Sequence, residues 1–241
     1  MLEVTNLSGG YTQSKPVIHQ LTFQVKPHQM VGLIGVNGAG KSTTIKHILG
    51  LMKPFTGSIT LNGSTIEENP TQFRSQIAYI PETPSLYKEL TLWEHMKLTA
   101  MAYGLDEKTL QERGKRLLQI FHMERQVDWF PDTFSKGMKQ KVMILCAFLV
   151  KPSLLIVDEP FVGLDPLAIH SLLELLVEMK EEGAGILIST HILGTAEKYC
   201  DQLILLHDGK IALQGSVETM GEQAGLPNAT LDELFIHVAK G

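Results

Sequence analysis

The chain has 241 residues, 44% of them apolar and 20% charged, enough to bury a core without disulfides or structural metals and too apolar for disorder throughout. Its net charge of −5, from 21 basic and 26 acidic side chains, argues against nucleic acid as a main partner. Two cysteines, Cys146 and Cys200, are too few for a secreted disulfide framework and fit a reducing cytoplasm. The opening Met1-Leu2-Glu3-Val4-Thr5 lacks the basic run and apolar core of a signal peptide. The longest unbroken apolar run, residues 142–150, falls well short of the roughly 18 needed to cross a bilayer. The chain is therefore expected not to span a membrane by itself, which leaves open attachment to a protein that does.

In chain order, residues 21–25 alternate apolar and polar side chains, as a half-exposed strand does. Residues 30–34 form a continuous apolar run before a glycine-rich turn, the pattern of a buried parallel strand, and a helix is predicted over 44–51. Asn62-Gly63 and Gly209 mark turns, and the first part of the chain is expected to add antiparallel strands at one edge. From about 92 to 150 no strand pattern occurs; helical periodicity covers 93–103, 107–121 and 136–150. Buried-strand runs return at 154–157, 185–189 and 202–206. Between the first two of these lies a helical stretch, 166–182, with Ile169, Leu172, Leu173, Leu176 and Met179 at helical spacing. A short helix over 230–239 follows Pro227-Asn228. This alternation predicts an α/β fold with a mostly parallel sheet. Residues 1–84 and 151–220 would form the core, 85–150 a helical insertion and 221–241 a C-terminal helical segment.

The strongest local feature is Gly35-Val36-Asn37-Gly38-Ala39-Gly40-Lys41-Ser42-Thr43. It matches the G-x-x-x-x-G-K-[ST] phosphate loop, with a strand before it and a helix after it, as the motif requires. Glycines let the backbone bend around phosphates with N–H groups turned inward, and the helix N-terminus adds partial positive charge. Lys41 would neutralise the β- and γ-phosphates and Ser42 would ligate Mg²⁺.

The second feature is Leu154-Leu155-Ile156-Val157-Asp158-Glu159, a buried strand ending in adjacent carboxylates. Asp158 can hold Mg²⁺, directly or through water, and Glu159 would lie beyond the γ-phosphate, where it can polarise a water for in-line attack. Alone, such a pair is as readily an acidic turn; the phosphate loop gives it meaning. None of the asparagines begins the Asn-Lys-x-Asp element that guanine recognition would need.

With these residues the whole chain resembles the ATP-binding cassette (ABC) ATPases, which implies a RecA-like phosphate-loop core with an antiparallel β subdomain and an α-helical subdomain. Phe134-Ser135-Lys136-Gly137-Met138-Lys139-Gln140-Lys141 is similar to the family signature, usually LSGGQ-x-Q-R. Tyr11 matches the aromatic platform for adenine, Tyr79-Ile80-Pro81-Glu82 the loop leading to the helical subdomain, Gly163-Leu164-Asp165-Pro166 the dimer-contacting D-loop, and His191 the switch histidine. The resemblance implies ATP and Mg²⁺ as cofactors and a head-to-tail dimer, in which Ser135 and Gly137 complete the site of a second subunit. It also implies a separate transmembrane partner and a place on the cytoplasmic face of the membrane. Taken singly, Ser135 is a good helix cap and Tyr11 an ordinary turn residue whose ring face suits a base.

Three positions depart from the family. Glu82 stands where most members have Gln, so it can accept and bind a cation but cannot donate. Lys136 replaces the first signature glycine and Met138 the usual Gln. This form of the signature resembles a bacterial exporter-type subgroup. Tyr87, Leu90, Leu92 and Trp93 fall where family members meet the membrane partner. An alternative is a cytosolic ABC-type ATPase of iron–sulfur cluster assembly. Repair members need a long heptad insertion and translation members carry two cassettes, neither of which this sequence has.

Overall fold

The computed structural model describes residues 1–240. Antiparallel β1 (Leu2–Gly9) and β2 (Ile18–Val25) are followed by β3 (Met30–Ile34), the phosphate loop and α1 (Lys41–Ile48). Next come β4 (Thr56–Leu61), a short α2 (Pro70–Ser75) and β5 (Ile77–Ile80), then three successive helices: α3 (Leu92–Ala102), α4 (Glu107–Phe121) and α5 (Lys136–Leu149). Strand and helix alternate again through β6 (Leu154–Asp158), α6 (Pro166–Glu181), β7 (Gly185–Ser189), α7 (Leu193–Tyr199) and β8 (Gln202–His207). The chain finishes with β9 (Lys210–Gly215), α8 (Val217–Ala224) and α9 (Leu231–Lys240). Among the described residues no helix is long and apolar enough to cross a membrane.

Two sheets result. A six-stranded sheet has the order β5-β6-β7-β3-β8-β9, parallel except for β9, and a three-stranded antiparallel sheet has the order β2-β1-β4. The apolar runs read as parallel strands are buried on both faces, and the residues divide accordingly. Leu155 and Val157 of β6 join the core beneath α3–α6, while Leu154 and Ile156 join the core shared with α1 and the small sheet. β2 keeps its alternation, with Leu21, Phe23 and Val25 buried and Thr22 and Gln24 in water. The Asn62-Gly63 and Asp208-Gly209 turns take left-handed backbone at both residues, as two-residue hairpin turns demand.

The helical region follows its local signals. Thr91 and Glu94 form a reciprocal capping box at the start of α3. Asp106 caps α4 by accepting from the Thr109 N–H at 2.7 Å. Its buried stripe of Leu110, Gly114, Leu117, Leu118 and Phe121 faces the core, and His122 in left-handed backbone ends the helix.

Several elements differ from the sequence expectation: the helix after the phosphate loop runs Lys41–Ile48 instead of 44–51, and α2 and α8 are not among the predicted helices. Residues 77–80 are strand β5, not only a loop, because pairing with β6 in register (Ile80 opposite Val157) outweighs the brevity of the run. The antiparallel strands of the first part form a sheet of their own, β2-β1-β4, instead of an edge of the main sheet; the antiparallel edge of the main sheet is the β8–β9 hairpin. Of the four residues expected near a partner, Leu92 is fully buried, Trp93 is half-buried with its ring packed against Gly114 of α4, Leu90 is half-buried and Tyr87 is exposed.

Candidate nucleotide site

Parallel strands bring their C-terminal ends to one edge of the sheet, and that edge is where loops leave β3, β5, β6 and β7. Ser189 at the end of β7 pairs with Asp158 on one side and with Leu33 on the other. Ile80, two residues before Glu82, pairs with Val157. The register therefore gathers Gly35–Thr43, Glu82, Asp158–Glu159 and His191, which are far apart in sequence, at one crevice.

The phosphate loop closes on itself through the Ala39 N–H, which donates to the Val36 carbonyl at 3.1 Å. At Gly35 a Cβ would lie 2.5 Å from the Leu206 carbonyl oxygen of β8, so the loop can pass this strand only as glycine. Gly40, at φ 110°, starts α1 without any side-chain cap, which leaves the first-turn N–H groups of α1 for an anion. Lys41 is buried, and its ammonium donates to the Gly35 carbonyl at 2.8 Å and, more weakly, to the Val36 carbonyl at 3.4 Å. The cation is thereby held within the loop. Asn37, Gly38, Ser42 and Thr43 line the same cleft, of about 620 Å³, as do Tyr11, Glu82, Glu159 and His191.

Asp158 is 4% exposed, and its Oδ1 has no partner in hydrogen-bonding geometry; the buried Ser189 hydroxyl is likewise unpartnered. Burial raises the Asp158 pKa, the negative charges of Glu82 and Glu159 raise it further, and the nearby Ser189 and Ser42 hydroxyls partly offset this. A buried carboxylate with a free oxygen among two more carboxylates and a serine hydroxyl is an all-oxygen donor set that suits a hard divalent cation. Among the described residues no group of three His, Cys, Asp or Glu side chains is arranged to cage a metal alone. The arrangement thus fits an ion that takes its remaining ligands from phosphates and water, as Mg²⁺ does.

Glu159 adopts φ 45°, left-handed backbone that a non-glycine residue enters at a cost of roughly 1–2 kcal/mol. Its Oε2 is fixed by His191, whose Nδ1 lies at 2.7 Å and whose backbone N–H donates at 3.3 Å. The Glu159 N–H donates to the Ser189 carbonyl at 2.9 Å. A carboxylate pinned in this way, beside the phosphate loop, is set to orient a water.

Ser135, Gly137 and Asp165 do not line this cleft. Ser135 caps α5 by accepting from the Met138 N–H at 3.2 Å. Asp165 caps α6, accepting from the Ala168 N–H at 2.9 Å, and pairs with Lys141 at 3.1 Å; both partners lower its pKa. A Cβ on Gly137 would run into the Gly163 carbonyl oxygen, so the start of the signature helix lies directly on the D-loop. Within one chain, the two halves expected of an ATP site are apart.

Several residues at the site carry little signal in the sequence. Ser189 sits beside Asp158; its only sequence signal is its place at the end of a buried strand. Gln140, 1% exposed, donates from Nε2 to the Pro81 carbonyl at 3.0 Å and so ties α5 to the loop that carries Glu82. The Tyr79 phenol is pushed up by burial and then by the charges of Asp158 and Glu82. Val17, Val162 and Phe235 also line the cleft, the last from α9 at the far end of the sequence.

Comparison with known proteins agrees with this geometry. Residues 18–162 match the family model described as "ABC transporter". The chain is 57% identical over 240 residues to the ABC-type transporter ATP-binding protein EcsA of Bacillus subtilis (strain 168), covering 100% of this chain and 97% of that one. A solved structure described as the ATP binding subunit of an ABC transporter superposes with a TM-score of 0.96 at 56% identity, covering 99% of both chains. A dimeric cassette, MJ0796 in a post-hydrolysis state bound to ADP and Pi, has the same fold, with a TM-score of 0.81 at 23% identity over 90% of this chain and 99% of that one.

Proposed function

The chain belongs to the ABC transporter family and is an ATP-binding, ATP-hydrolysing subunit of such a transporter; from that premise we propose that two copies close head to tail over ATP and Mg²⁺ and drive a separate membrane-spanning partner, in the direction of export. The observation that carries the dimer is the separation within one chain. Lys41, Glu159 and His191 line one crevice, with Asp158 buried beside Glu159 at the end of β6, while Ser135 and Gly137 lie outside it. A second chain supplies the missing side.

In this reading the loop N–H groups and Lys41 bind the phosphates, Thr43 and Ser42 flank them, and Tyr11 receives the adenine. Mg²⁺, held by Ser42 and Asp158 with Glu82 close by, supplies positive charge against the phosphates when bound. Glu159 orients the attacking water and takes up its proton at the free Oε1, while His191 holds the carboxylate in place. Ser135 and Gly137 reach the γ-phosphate of the opposite subunit with the N-terminus of α5, where partial positive charge suits an anion. The D-loop, with Asp165, contacts the facing chain. The export direction rests on the signature's resemblance to exporter members.

The region of 85–150 serves as a helical subdomain that takes the load. Tyr87, exposed after Glu82, together with half-buried Leu90 forms the contact to the membrane partner. The chain then works at the cytoplasmic face, held there by that partner. Purification from native membranes tests this: a multi-spanning protein should co-purify, in a manner weakened by Tyr87→Ala. Recovery with soluble partners alone would instead favour an ATPase of iron–sulfur cluster assembly.

A further inference from the structure

Tyr11 stands in the turn between β1 and β2 with 67% of its surface in water, too open for packing to fix the ring. One side chain fixes it. The Lys46 ammonium, on α1, donates to the Tyr11 hydroxyl at 3.2 Å and lies 5.3 Å from the ring centroid. The hydrogen bond and the charge of Lys46 also lower the phenol's pKa, with a small contribution from the Thr43 hydroxyl.

The neighbouring residue of α1 anchors the base of the same turn. His47 is 2% exposed, and its Nδ1 pairs with the Met52 carbonyl at 3.0 Å, which pins the ring. A Cβ on Gly9 would collide with that ring, so His47 fills the space under the strand that leads to Tyr11. The Val17 N–H closes the turn onto the Gly9 carbonyl at 2.8 Å. One helix therefore begins at the phosphate loop with Lys41 and Ser42 and touches the aromatic turn at both base and tip.

We propose that Lys46 is a positioning residue for the nucleotide base: it holds the Tyr11 ring at a set height and angle relative to the phosphate loop. The inference rests on the reading that Tyr11 receives adenine. Its consequence is that α1 measures the distance between phosphate and base, because both contacts are built on one rigid element. Lys46 acts through Tyr11, not on phosphate, and affinity for the triphosphate moiety alone does not depend on it.

The test uses the full chain and two probes, ATP and inorganic tripolyphosphate, titrated by calorimetry, with thermal melts to confirm folding. Lys46→Met keeps the apolar stem and removes the charge. It should weaken ATP binding by about three- to tenfold, the range of one exposed charge-assisted hydrogen bond. Tripolyphosphate affinity and kcat at saturating ATP should stay unchanged, and Lys46→Arg should restore ATP affinity. In a Tyr11→Ala background, Lys46→Met should have no further effect. Equal losses for ATP and tripolyphosphate would overturn the inference by placing Lys46 on the phosphates, and unchanged ATP affinity in Lys46→Met with a clear loss in Tyr11→Ala would overturn it by making the contact idle. Unchanged affinity in Tyr11→Ala itself would remove the base-platform reading beneath it.

Discussion

Gly137→Ala tests how closely the signature helix is fitted to the D-loop. The added Cβ would meet the Gly163 carbonyl oxygen well inside contact distance. That atom is backbone and Gly163 is at φ 87°, so neither side can yield by rotating a side chain. Forcing one methyl into such a contact costs roughly 1–3 kcal/mol. Alanine in place of glycine near a helix start returns at most about 0.5–1 kcal/mol. The net loss should be about 1–2 kcal/mol, and at about 2–4 °C per kcal/mol for a chain of this size, Tm should fall by about 2–8 °C. Gly194→Ala is the control: it lies at the exposed start of α7, where an added Cβ would have nothing within 4 Å and the backbone is not left-handed. It should leave Tm unchanged or raise it slightly. Turnover should fall further than stability in Gly137→Ala, because the D-loop connects Glu159 to α6, whereas ATP binding to the chain's own cleft should persist. Differential scanning fluorimetry and a phosphate-release assay read both. A Gly137→Ala protein with the Tm and ATPase rate of the parent would refute the close contact.

Other consequences follow from the cleft. Glu159→Gln should lower kcat by about 10²–10⁴-fold, the usual worth of a positioned base, while an ATP-dependent dimer accumulates on a sizing column; near-normal turnover would remove Glu159 from that role. Lys41→Ala should abolish measurable ATP binding by calorimetry, and retained affinity would contradict the phosphate-loop assignment. Asp158 has a folded-state pKa above its ordinary value, so the native state without nucleotide holds that proton more tightly than the unfolded chain. Stability from this group is therefore lost as pH rises from the ordinary carboxylate range through the raised folded-state value. Asp158→Asn should abolish that loss, raise the nucleotide-free Tm at pH 7, and cancel the extra Tm gain that Mg²⁺ gives with ATP. Melting curves across pH would refute this if the variant melted lower than the parent at pH 7 without nucleotide.

Much of the molecule was legible because local signals and tertiary need agree. The boundaries of α4 follow from Asp106 as cap and a 3.6-residue apolar stripe, and β3, β6 and β7 from continuous apolar runs that only strands buried on both faces require. β5 was hidden because four residues carry too little period to distinguish strand from loop; its identity comes from pairing with β6. The burial of Leu92 and partial burial of Trp93 depend on their packing in the core of the helical region, which no local pattern around them encodes.

The candidate site divides in the same way. Residue types and spacing pointed to the phosphate loop and the Asp158-Glu159 pair, and the family resemblance to His191; each lies at the end of a strand whose own apolar run announces it. Which of them meet was decided by strand order and register: β7 lies between β3 and β6, so Ser189 and His191 come to stand between phosphate loop and carboxylates. Only the folded chain put Oδ1 of Asp158 in a buried place without a partner, laid Gly137 on Gly163 and brought Lys46 to Tyr11. These contacts join residues far apart in the chain, and their energies depend on distance and burial, which sequence spacing does not carry.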